Sequence, residues 1–180
     1  MRIISGKFKG KRIRAPKKLP SRPTTDMAKE GLFNILNNYY YFDDCAVLDL
    51  FSGTGNISYE FASRGCENIT AIDDNFNCIK FIEKTSRELN FEINTIKSDV
   101  FKYLERTKSK VNIIFCDPPY ALTEDMFEKL VTLVFDNELL LEDGQLIVEH
   151  SAHTDLSNLS NFSKKRKYGG SIFSFFEIKV

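Results

Sequence analysis

The feature that most constrains the fold of this chain is a regular alternation of short apolar segments with longer helical ones. The short segments are apolar or β-branched, as parallel strands buried on both faces are, and they span Ala46–Leu50, Asn68–Ile72, Glu92–Lys97, Val111–Cys116 and Gln145–Glu149. Between them, apolar residues recur with helical spacing over Ile57–Arg64, Phe76–Leu89, Val100–Thr107 and Glu124–Phe135. Repeated β-α-β units have right-handed crossovers, so this alternation predicts an α/β fold built on a doubly wound parallel sheet.

Both ends of the chain depart from this alternation. Residues 2–14 alternate weakly between apolar and basic side chains around two glycines, which predicts a short pair of strands. At the other end, Phe162–Tyr168 and residues 171–180 flank a Gly-Gly pair, which predicts an antiparallel hairpin. We therefore expect a mostly parallel seven-stranded sheet with an antiparallel C-terminal hairpin, a basic N-terminal β-hairpin arm at residues 1–24 and the main domain at residues 25–180.

Basic residues are concentrated at the start of the chain. The first 22 residues have no acidic side chain and nine basic ones: Arg2, Lys7, Lys9, Lys11, Arg12, Arg14, Lys17, Lys18 and Arg22. Since the whole chain has 25 basic and 25 acidic residues, the rest has sixteen basic against 25 acidic. A cationic arm on an acidic body indicates a polyanionic partner. An arm that only keeps the protein in solution is the alternative.

A glycine-rich loop, Asp49-Leu50-Phe51-Ser52-Gly53-Thr54-Gly55, directly follows the first predicted strand. A dinucleotide fingerprint would need glycine at Ser58, and a P-loop would need a lysine that this loop lacks. The acid before the glycines suits a ligand with a cationic head, such as S-adenosylmethionine. We therefore name Asp49, Phe51, Gly53 and Gly55 as cofactor-binding candidates, with an ordinary strand-to-helix turn as the alternative.

Two further acids end the next predicted strands. Asp73 lies about twenty residues beyond the loop, where a carboxylate can accept hydrogen bonds from both ribose hydroxyls. Asp99 and the backbone N–H of Val100 can bind an adenine amine and ring nitrogen. Each acid can instead cap the helix that follows. Acids at three successive strand ends together predict a nucleoside site.

The fourth predicted strand runs into Asp117-Pro118-Pro119-Tyr120. Each proline forces the residue before it toward an extended conformation, which makes a rigid ledge. The Asp117 carboxylate and the Pro118 carbonyl can accept hydrogen bonds from an exocyclic base amine, and Tyr120 can stack on the base. The motif predicts methyl transfer to that amine, with Asp117, Pro118 and Tyr120 as catalytic residues. A turn with an incidental acid is the alternative.

Segments over nearly the whole chain carry a family resemblance: MRIISGKFKG, SRPTTDMAKEGLFNIL, VLDLFSGTG, IIFCDPPY, LIVEH and YGGSIFSFF. The chain resembles the small, single-domain bacterial 16S ribosomal RNA guanine-N2 methyltransferases. The glycine loop and DPPY are shared with many amino-methyltransferases, whereas the arm followed by RPTTD is much more specific. The resemblance implies a Rossmann-like class I methyltransferase fold, S-adenosylmethionine as cofactor, and a guanine of 16S rRNA in an assembling small ribosomal subunit as acceptor.

The expected RNA contacts combine the charge pattern with this resemblance. They are Arg2, Lys7, Lys9, Lys11, Arg12, Arg14, Arg22 and Lys29. Lys29 belongs to Met27-Ala28-Lys29-Glu30, where the family has Arg-Val-Arg-Glu, so it partly replaces an arginine. Asn75 also stands where the family usually has an acid.

Other functions fit parts of the pattern. A DNA adenine or cytosine amino-methyltransferase can use the same motif but usually needs extra sequence to flip a base from a duplex. A protein-glutamine methyltransferase would have no use for the basic arm. A non-catalytic RNA-binding module would be expected to lose the glycines or Asp117, and this chain keeps both.

The sequence also bears on location and metals. No apolar run approaches the roughly 20 residues of a membrane span, and the basic N-terminus lacks the apolar core of a secretion signal. Four cysteines without CxxC spacing indicate free thiols in a reducing cytosol. His150 and His153 lack the spacing of a metal-binding helix. We expect a cytoplasmic monomer without a metal ion.

Overall fold

The computed structural model describes residues 1–19 and 24–179. These residues form seven strands: β1 (Ala46–Leu50), β2 (Asn68–Asp73), β3 (Ile93–Lys97), β4 (Val111–Cys116), β5 (Leu140–His150), β6 (Phe162–Tyr168) and β7 (Ser171–Glu177). The helices are α1 (Asp26–Leu36), α2 (Asn56–Ser63), α3 (Phe76–Leu89), α4 (Val100–Arg106) and α5 (Glu124–Asp136). No helix in these two ranges is long and apolar enough to cross a membrane.

The strands form one sheet in the order β3-β2-β1-β4-β5-β7-β6. Strands β1 to β5 pair in parallel, and β7 pairs antiparallel with both β5 and β6. The predicted mostly parallel sheet with an antiparallel hairpin is confirmed. The chain first runs from β1 outward to β3 and then returns to the other side of β1. That reversal opens a crevice at the carboxyl ends of β1 and β4.

Two apolar layers hold the sheet, because successive side chains of a strand point to opposite faces. Val47 of β1 belongs to a buried cluster with residues of α1 and α2. Its neighbour Leu48 belongs to the opposite cluster, with residues of α4 and α5. The strands are therefore fixed from both sides, and they place the loops at their carboxyl ends in defined positions.

Strand β5 begins earlier than the sequence predicts. It spans Leu140–His150, although only Gln145–Glu149 was expected. Its pairing with β4 shifts, because Val111 pairs with Leu140 whereas Ile113 pairs with Gln145. Residues 141–144 bulge out of the ladder. They include Glu142, Asp143 and Gly144, a composition that is also typical of a turn. β7 ends at Glu177, three residues before the expected end, and Val180 lies outside the described residues.

The N-terminal arm packs on the main domain. Ile3 and Ile13 are 1% and 7% exposed, and they join residues of α2 and α3 in a third buried cluster. The Glu60 carboxylate of α2 accepts hydrogen bonds from the backbone N–H groups of Ile4 and Ser5, at 2.8 and 3.0 Å. The arm therefore shares a hydrophobic core and a buried polar contact with the domain.

The predicted pair of strands in the arm is reduced to one antiparallel bridge, between Arg2 and Arg12. Gly6 and Gly10 both have positive φ angles, +82° and +85°, which interrupt an extended backbone. The arm keeps the hairpin path, because the Ile3 N–H donates to Lys11 O at 2.9 Å. It is a looped hairpin without regular strands.

Candidate active site

A cleft of about 450 Å³ lies at the carboxyl ends of the parallel strands. This volume is within the range of small-molecule sites, roughly 300–1,000 Å³. The cleft is lined by nine of the predicted site residues: Asp49, Phe51, Gly53, Asp73, Asp99, Val100, Asp117, Pro118 and Tyr120. The strand-end motifs, separated by up to 71 positions in sequence, therefore meet in one place.

Asp49 lines this cleft and is buried, with 2% of its surface exposed. Its Oδ2 accepts hydrogen bonds from the hydroxyl and the backbone N–H of Ser58, at 2.5 and 3.2 Å. Burial raises the pKa of Asp49 to about 7. A cationic group beside it would lower that pKa again, because an opposite charge favours the ionised form. Asp49 thus fixes the start of α2 and offers a carboxylate to a cationic ligand.

The loop after β1 has a left-handed backbone at three residues. Phe51, Gly53 and Gly55 have φ angles of +55°, +52° and +84°. A Cβ on Gly53 would meet only Phe51 O, at 4.0 Å, so the missing side chain leaves open space along the cleft. A Cβ on Gly55 would instead come within 2.7 Å of the Tyr59 ring. Gly53 leaves room for a ligand, whereas Gly55 does not line the cleft and is needed for packing.

Asp73 ends β2 and lines the cleft. Its two carboxylate oxygens accept hydrogen bonds from the backbone N–H groups of Gly53 and Asn75, both at 2.8 Å. Burial raises the pKa of this carboxyl, and the two N–H donors oppose that effect. A carboxylate has about four acceptor positions, so Asp73 can also accept hydrogen bonds from two hydroxyls. The glycine loop and the acid therefore hold each other in position.

Asp99 caps the helix that follows it, which is the alternative role that the sequence allows, and it also lines the cleft. Its Oδ1 accepts a hydrogen bond from the Lys102 N–H at 2.9 Å, which caps α4. Val100 follows it and is 2% exposed. Both residues border the same cleft as Asp73. Helix capping and ligand binding are thus compatible, because capping uses one oxygen of the carboxylate.

The Asp117-Pro118-Pro119-Tyr120 ledge begins where β4 ends. Pro118 is buried, whereas the Tyr120 side chain is 67% exposed at the rim of the cleft. The Leu122 N–H donates to Pro119 O at 2.9 Å and closes the turn. The ledge and the nucleoside-binding candidates line one continuous space.

The expectation that Lys29 contacts RNA is wrong. Its side chain is 1% exposed, and its ammonium donates to Arg2 O at 2.6 Å and to Asn56 Oδ1 at 2.8 Å. Glu60 lies 3.5 Å away. Burial lowers the pKa of Lys29, and the charge of Glu60 opposes this. The buried Lys29 side chain connects the arm to the main domain and is not accessible to RNA.

The other RNA-binding candidates are distributed over the arm. Five are exposed: Lys7, Lys9, Lys11, Arg12 and Arg14. Arg2 is half exposed and forms an ion pair with Asp26 at 2.9 Å. Arg22 lies outside the described residues.

Sequence reasoning missed three buried polar residues of the cleft, Thr24, Asn56 and Glu149. The Thr24 hydroxyl donates to Glu149 Oε2 at 2.6 Å, and Asn56 Nδ2 donates to Thr24 O at 3.0 Å. Thr24 directly precedes Thr25, the residue that caps α1, so its sequence position alone does not mark it as part of the cleft. A signal for Glu149 was present, since it is an acid near the carboxyl end of β5.

Neither the cysteines nor the histidines form a second site. No group of three His, Cys, Asp or Glu side chains within the described ranges is placed to hold a metal ion. The His150 ring hydrogen-bonds with Ser174 Oγ and Ser151 O, at 2.8 and 2.9 Å. Cys116 precedes Asp117, but burial raises the pKa of its thiol far above the usual value, so it stays protonated.

The chain matches the protein family described as "Conserved hypothetical protein 95" over residues 1–177. It belongs to that family. This member of the Conserved hypothetical protein 95 family is similar to the "Putative rRNA methyltransferase YlbH" of Bacillus subtilis strain 168. The two are 33% identical over 177 residues, with 94% of each chain covered. It is 28% identical to the "Ribosomal RNA small subunit methyltransferase D" of Escherichia coli strain K12, over 93% of this chain and 83% of that one.

Solved structures agree with this assignment. The "Putative methyltransferase yhhF" of Escherichia coli superposes with a TM-score of 0.85 at 25% identity, and 99% of each chain is covered. The Thermus thermophilus "16S rRNA N2 G1207 methyltransferase (RsmC) in complex with AdoMet and Guanosine" gives a TM-score of 0.72 at 19% identity. That superposition covers 89% of this chain and 45% of the other. The family and the Rossmann-like methyltransferase fold expected from the sequence are confirmed.

Proposed function

We propose that the protein transfers a methyl group from S-adenosylmethionine to the N2 amine of a guanine in small-subunit ribosomal RNA. The observation that carries this proposal is the single cleft in which the acidic strand ends and the glycine loop meet the Asp117-Pro118-Pro119-Tyr120 ledge. The names of the relatives, rRNA methyltransferase and ribosomal RNA small subunit methyltransferase, support the RNA substrate.

The inner part of the cleft fits the methyl donor. Gly53 leaves space for close approach, and Asp73 has acceptor capacity for ribose hydroxyls. Asp99 and the N–H of Val100 would hold the adenine, and Asp49 would face the cationic end. Bound there, S-adenosylmethionine supplies a methyl group on a positively charged sulfur.

The ledge would position the acceptor amine. An exocyclic amine is a poor nucleophile, because its lone pair is delocalised into the ring. Two hydrogen bonds, to the Asp117 carboxylate and the Pro118 carbonyl, would fix the NH₂ group and turn its lone pair toward the methyl donor. Such positioning contributes up to roughly 7–11 kcal/mol in the best cases. Tyr120, exposed at the rim, would stack on the base and contribute about 1–3 kcal/mol.

The exposed cations of the arm would hold the RNA backbone. We further propose that the protein acts as a monomer in the cytoplasm, on a guanine presented by an assembling small subunit. Phosphate contacts by Lys7, Lys9, Lys11, Arg12 and Arg14 would hold the RNA without reading its sequence.

Transfer of tritiated methyl groups tests the function directly. The substrates are unmethylated small ribosomal subunits, stripped rRNA and duplex DNA, followed by identification of the labelled nucleoside. We expect N2-methylguanosine from the small subunit or its RNA, and the comparison of these two shows whether assembled protein is required. Label confined to N6-methyladenine or N4-methylcytosine in DNA would overturn the proposed substrate.

A further inference from the structure

Glu149 lies beside the proposed catalytic residue on the neighbouring strand. Strands β4 and β5 run in parallel with Cys116 opposite Val148, so the next residues, Asp117 and Glu149, are adjacent at the carboxyl edge. Neighbouring strands lie about 4.8 Å apart. Both residues line the main cleft and also a smaller one that continues from it past Tyr120. The ledge therefore has a second carboxylate at its side.

The Glu149 side chain is buried and held in place. It is 8% exposed, and its Oε2 accepts the 2.6 Å hydrogen bond from Thr24 Oγ1. Thr24 is itself 7% exposed and is fixed through its carbonyl by Asn56. Burying a carboxylate is costly unless hydrogen bonds stabilise it, and its two oxygens together have about four acceptor positions. The Thr24 hydrogen bond fills one of these and orients the group.

Guanine has a hydrogen-bond pattern that suits two neighbouring carboxylates. Its N1–H and its N2 amine are adjacent donors on one edge of the base. Adenine and cytosine instead have a ring nitrogen lone pair next to their exocyclic amine. A carboxylate accepts a hydrogen bond from N1–H but repels that lone pair. The guanine amine lies between N1–H and the lone pair of N3. When Asp117 accepts from the amine, a base oriented with N1–H toward Glu149 would be bound, whereas the opposite orientation would place the N3 lone pair against this carboxylate.

We propose that Glu149 selects guanine by accepting a hydrogen bond from its ring N1–H, and that Thr24 is a positioning residue for this carboxylate. The inference rests on the proposed function, since it assumes that the N2 amine is the acceptor. It extends that function by assigning base selection to a residue outside the Asp117-Pro118-Pro119-Tyr120 motif. The same pair would reject adenine and cytosine, whose amines the motif alone could accept.

Glu149→Gln is the first test, because it keeps the shape and the acceptor for Thr24 but removes the charge. On unmethylated small subunits we expect kcat/KM to fall roughly 10- to 150-fold, as for the loss of a hydrogen bond to a charged group. Glu142→Gln is the matched control, since Glu142 is exposed on the same strand. Thermal melting and the Kd for S-adenosylmethionine should match the control. Thr24→Val should lower kcat/KM, and Thr24→Ser, which retains the hydroxyl, should restore it.

A base analogue separates selection from a general structural role. The probe is a small subunit reconstituted with 2,6-diaminopurine at the position that the wild-type enzyme labels. This base keeps the 2-amine but has a lone pair at N1. Wild type should strongly prefer guanine, and Glu149→Gln should lower that preference at least tenfold, because its amide can donate to N1.

The outcomes distinguish a failure of this inference from a failure of the proposed function. Unchanged kcat/KM in Glu149→Gln, or an equal loss on both bases, would overturn the inference while wild-type labelling of guanine still supports the proposed function. A wild-type enzyme that forms no N2-methylguanosine would overturn both.

Discussion

Lys29 and Glu60 form an ion pair beneath the N-terminal arm, with 3.5 Å between Nζ and Oε2 and side chains that are 1% and 0% exposed. Glu60 also pairs with Arg64 at 2.9 Å and accepts hydrogen bonds from two backbone N–H groups of the arm. Lys29 is joined through Asn56 to Thr24 at the cleft. One buried polar network thus runs from the arm to the candidate active site.

This network predicts a large stability loss for Glu60→Ala. Removing one partner of a buried pair leaves an uncompensated charge and costs about 3–5 kcal/mol. Glu88→Ala is the matched control, because Glu88 forms an exposed ion pair with Lys84, and such pairs contribute about 0–1 kcal/mol. Urea unfolding measures both free energies. Equal losses in the two variants would contradict the structural role of Glu60.

Asp117→Ala should abolish most transfer without changing cofactor affinity. The substitution removes an acceptor for the amine, and mispositioning of a reacting group by about 1 Å can already cost about 100-fold. Single-turnover methyl transfer to small subunits measures the rate, and calorimetry measures the Kd for S-adenosylmethionine. Asp125→Ala, an exposed position on α5, is the control. Substantial turnover by Asp117→Ala would refute its assigned role.

Gly53→Ala and Gly10→Ala separate backbone strain from loss of ligand space. Both glycines have positive φ, so each alanine variant should lose about 1–2 kcal/mol of stability. Only Gly53 lines the cleft, whereas a Cβ on Gly10 would meet no atom within 4 Å. We therefore expect the Kd for S-adenosylmethionine to rise at least tenfold in Gly53→Ala and to stay unchanged in Gly10→Ala. Equal affinities in both variants would place the cofactor elsewhere.

The sequence predicts the fold well because its signals are local. Apolar runs mark strands such as β1, and helical spacing marks α3, whose bounds Phe76–Leu89 are as predicted. Strand-end acids such as Asp73 and Asp117 could also be found, because parallel strands bring their carboxyl ends to one edge. Local sequence patterns, combined with the topology of a parallel sheet, are therefore sufficient to predict the strand-end residues of the site.

The missed features depend on partners that are distant in sequence. Lys29 has the charge of an RNA contact, and only its position beneath the arm, against Glu60, reveals that it is internal. Thr24 and Glu149 lie 125 positions apart, so no local pattern joins them. The early start of β5 was also missed, because polar residues that bulge from a ladder resemble a turn. Such long-range packing leaves little trace in a single sequence.

The pKa of Asp49 predicts a dependence of stability on pH. Burial raises it from 3.8 to about 7, so between these values the folded protein binds more protons than the unfolded chain. Stability contributed by this group is therefore present at low pH and is lost as the pH rises from about 4 to 7. Asp49→Asn should flatten that fall in urea unfolding, whereas the control Asp44→Asn, at an exposed position, should not. Parallel pH profiles for Asp49→Asn and wild type would exclude this titration.

Neutralising the arm should weaken RNA binding and reduce its salt dependence. Truncation is unsuitable, because Ile3 and Ile13 belong to a buried cluster and their loss would destabilise the domain. Lys7, Lys9 and Lys11 are exposed, so replacing all three by glutamine removes three charges and leaves Ile3 and Ile13 in the buried cluster. Replacing each lysine that contacts a phosphate should reduce the magnitude of the negative slope of log K against log salt by about 0.7–0.9.

The control for the arm variant replaces Lys108, Lys110 and Lys129 by glutamine, because these lysines are also exposed but lie outside the arm. Lys108 and Lys110 belong to the loop between α4 and β4, and Lys129 belongs to α5. Binding of small-subunit rRNA is measured for both variants across a potassium chloride series. We expect a shallower slope only in the arm variant. Because both variants have the same net charge, a difference between their slopes depends on where the lysines lie and not on the overall charge of the protein. Identical slopes would show that the arm cations do not contact the RNA backbone, and the RNA surface would have to lie on another face.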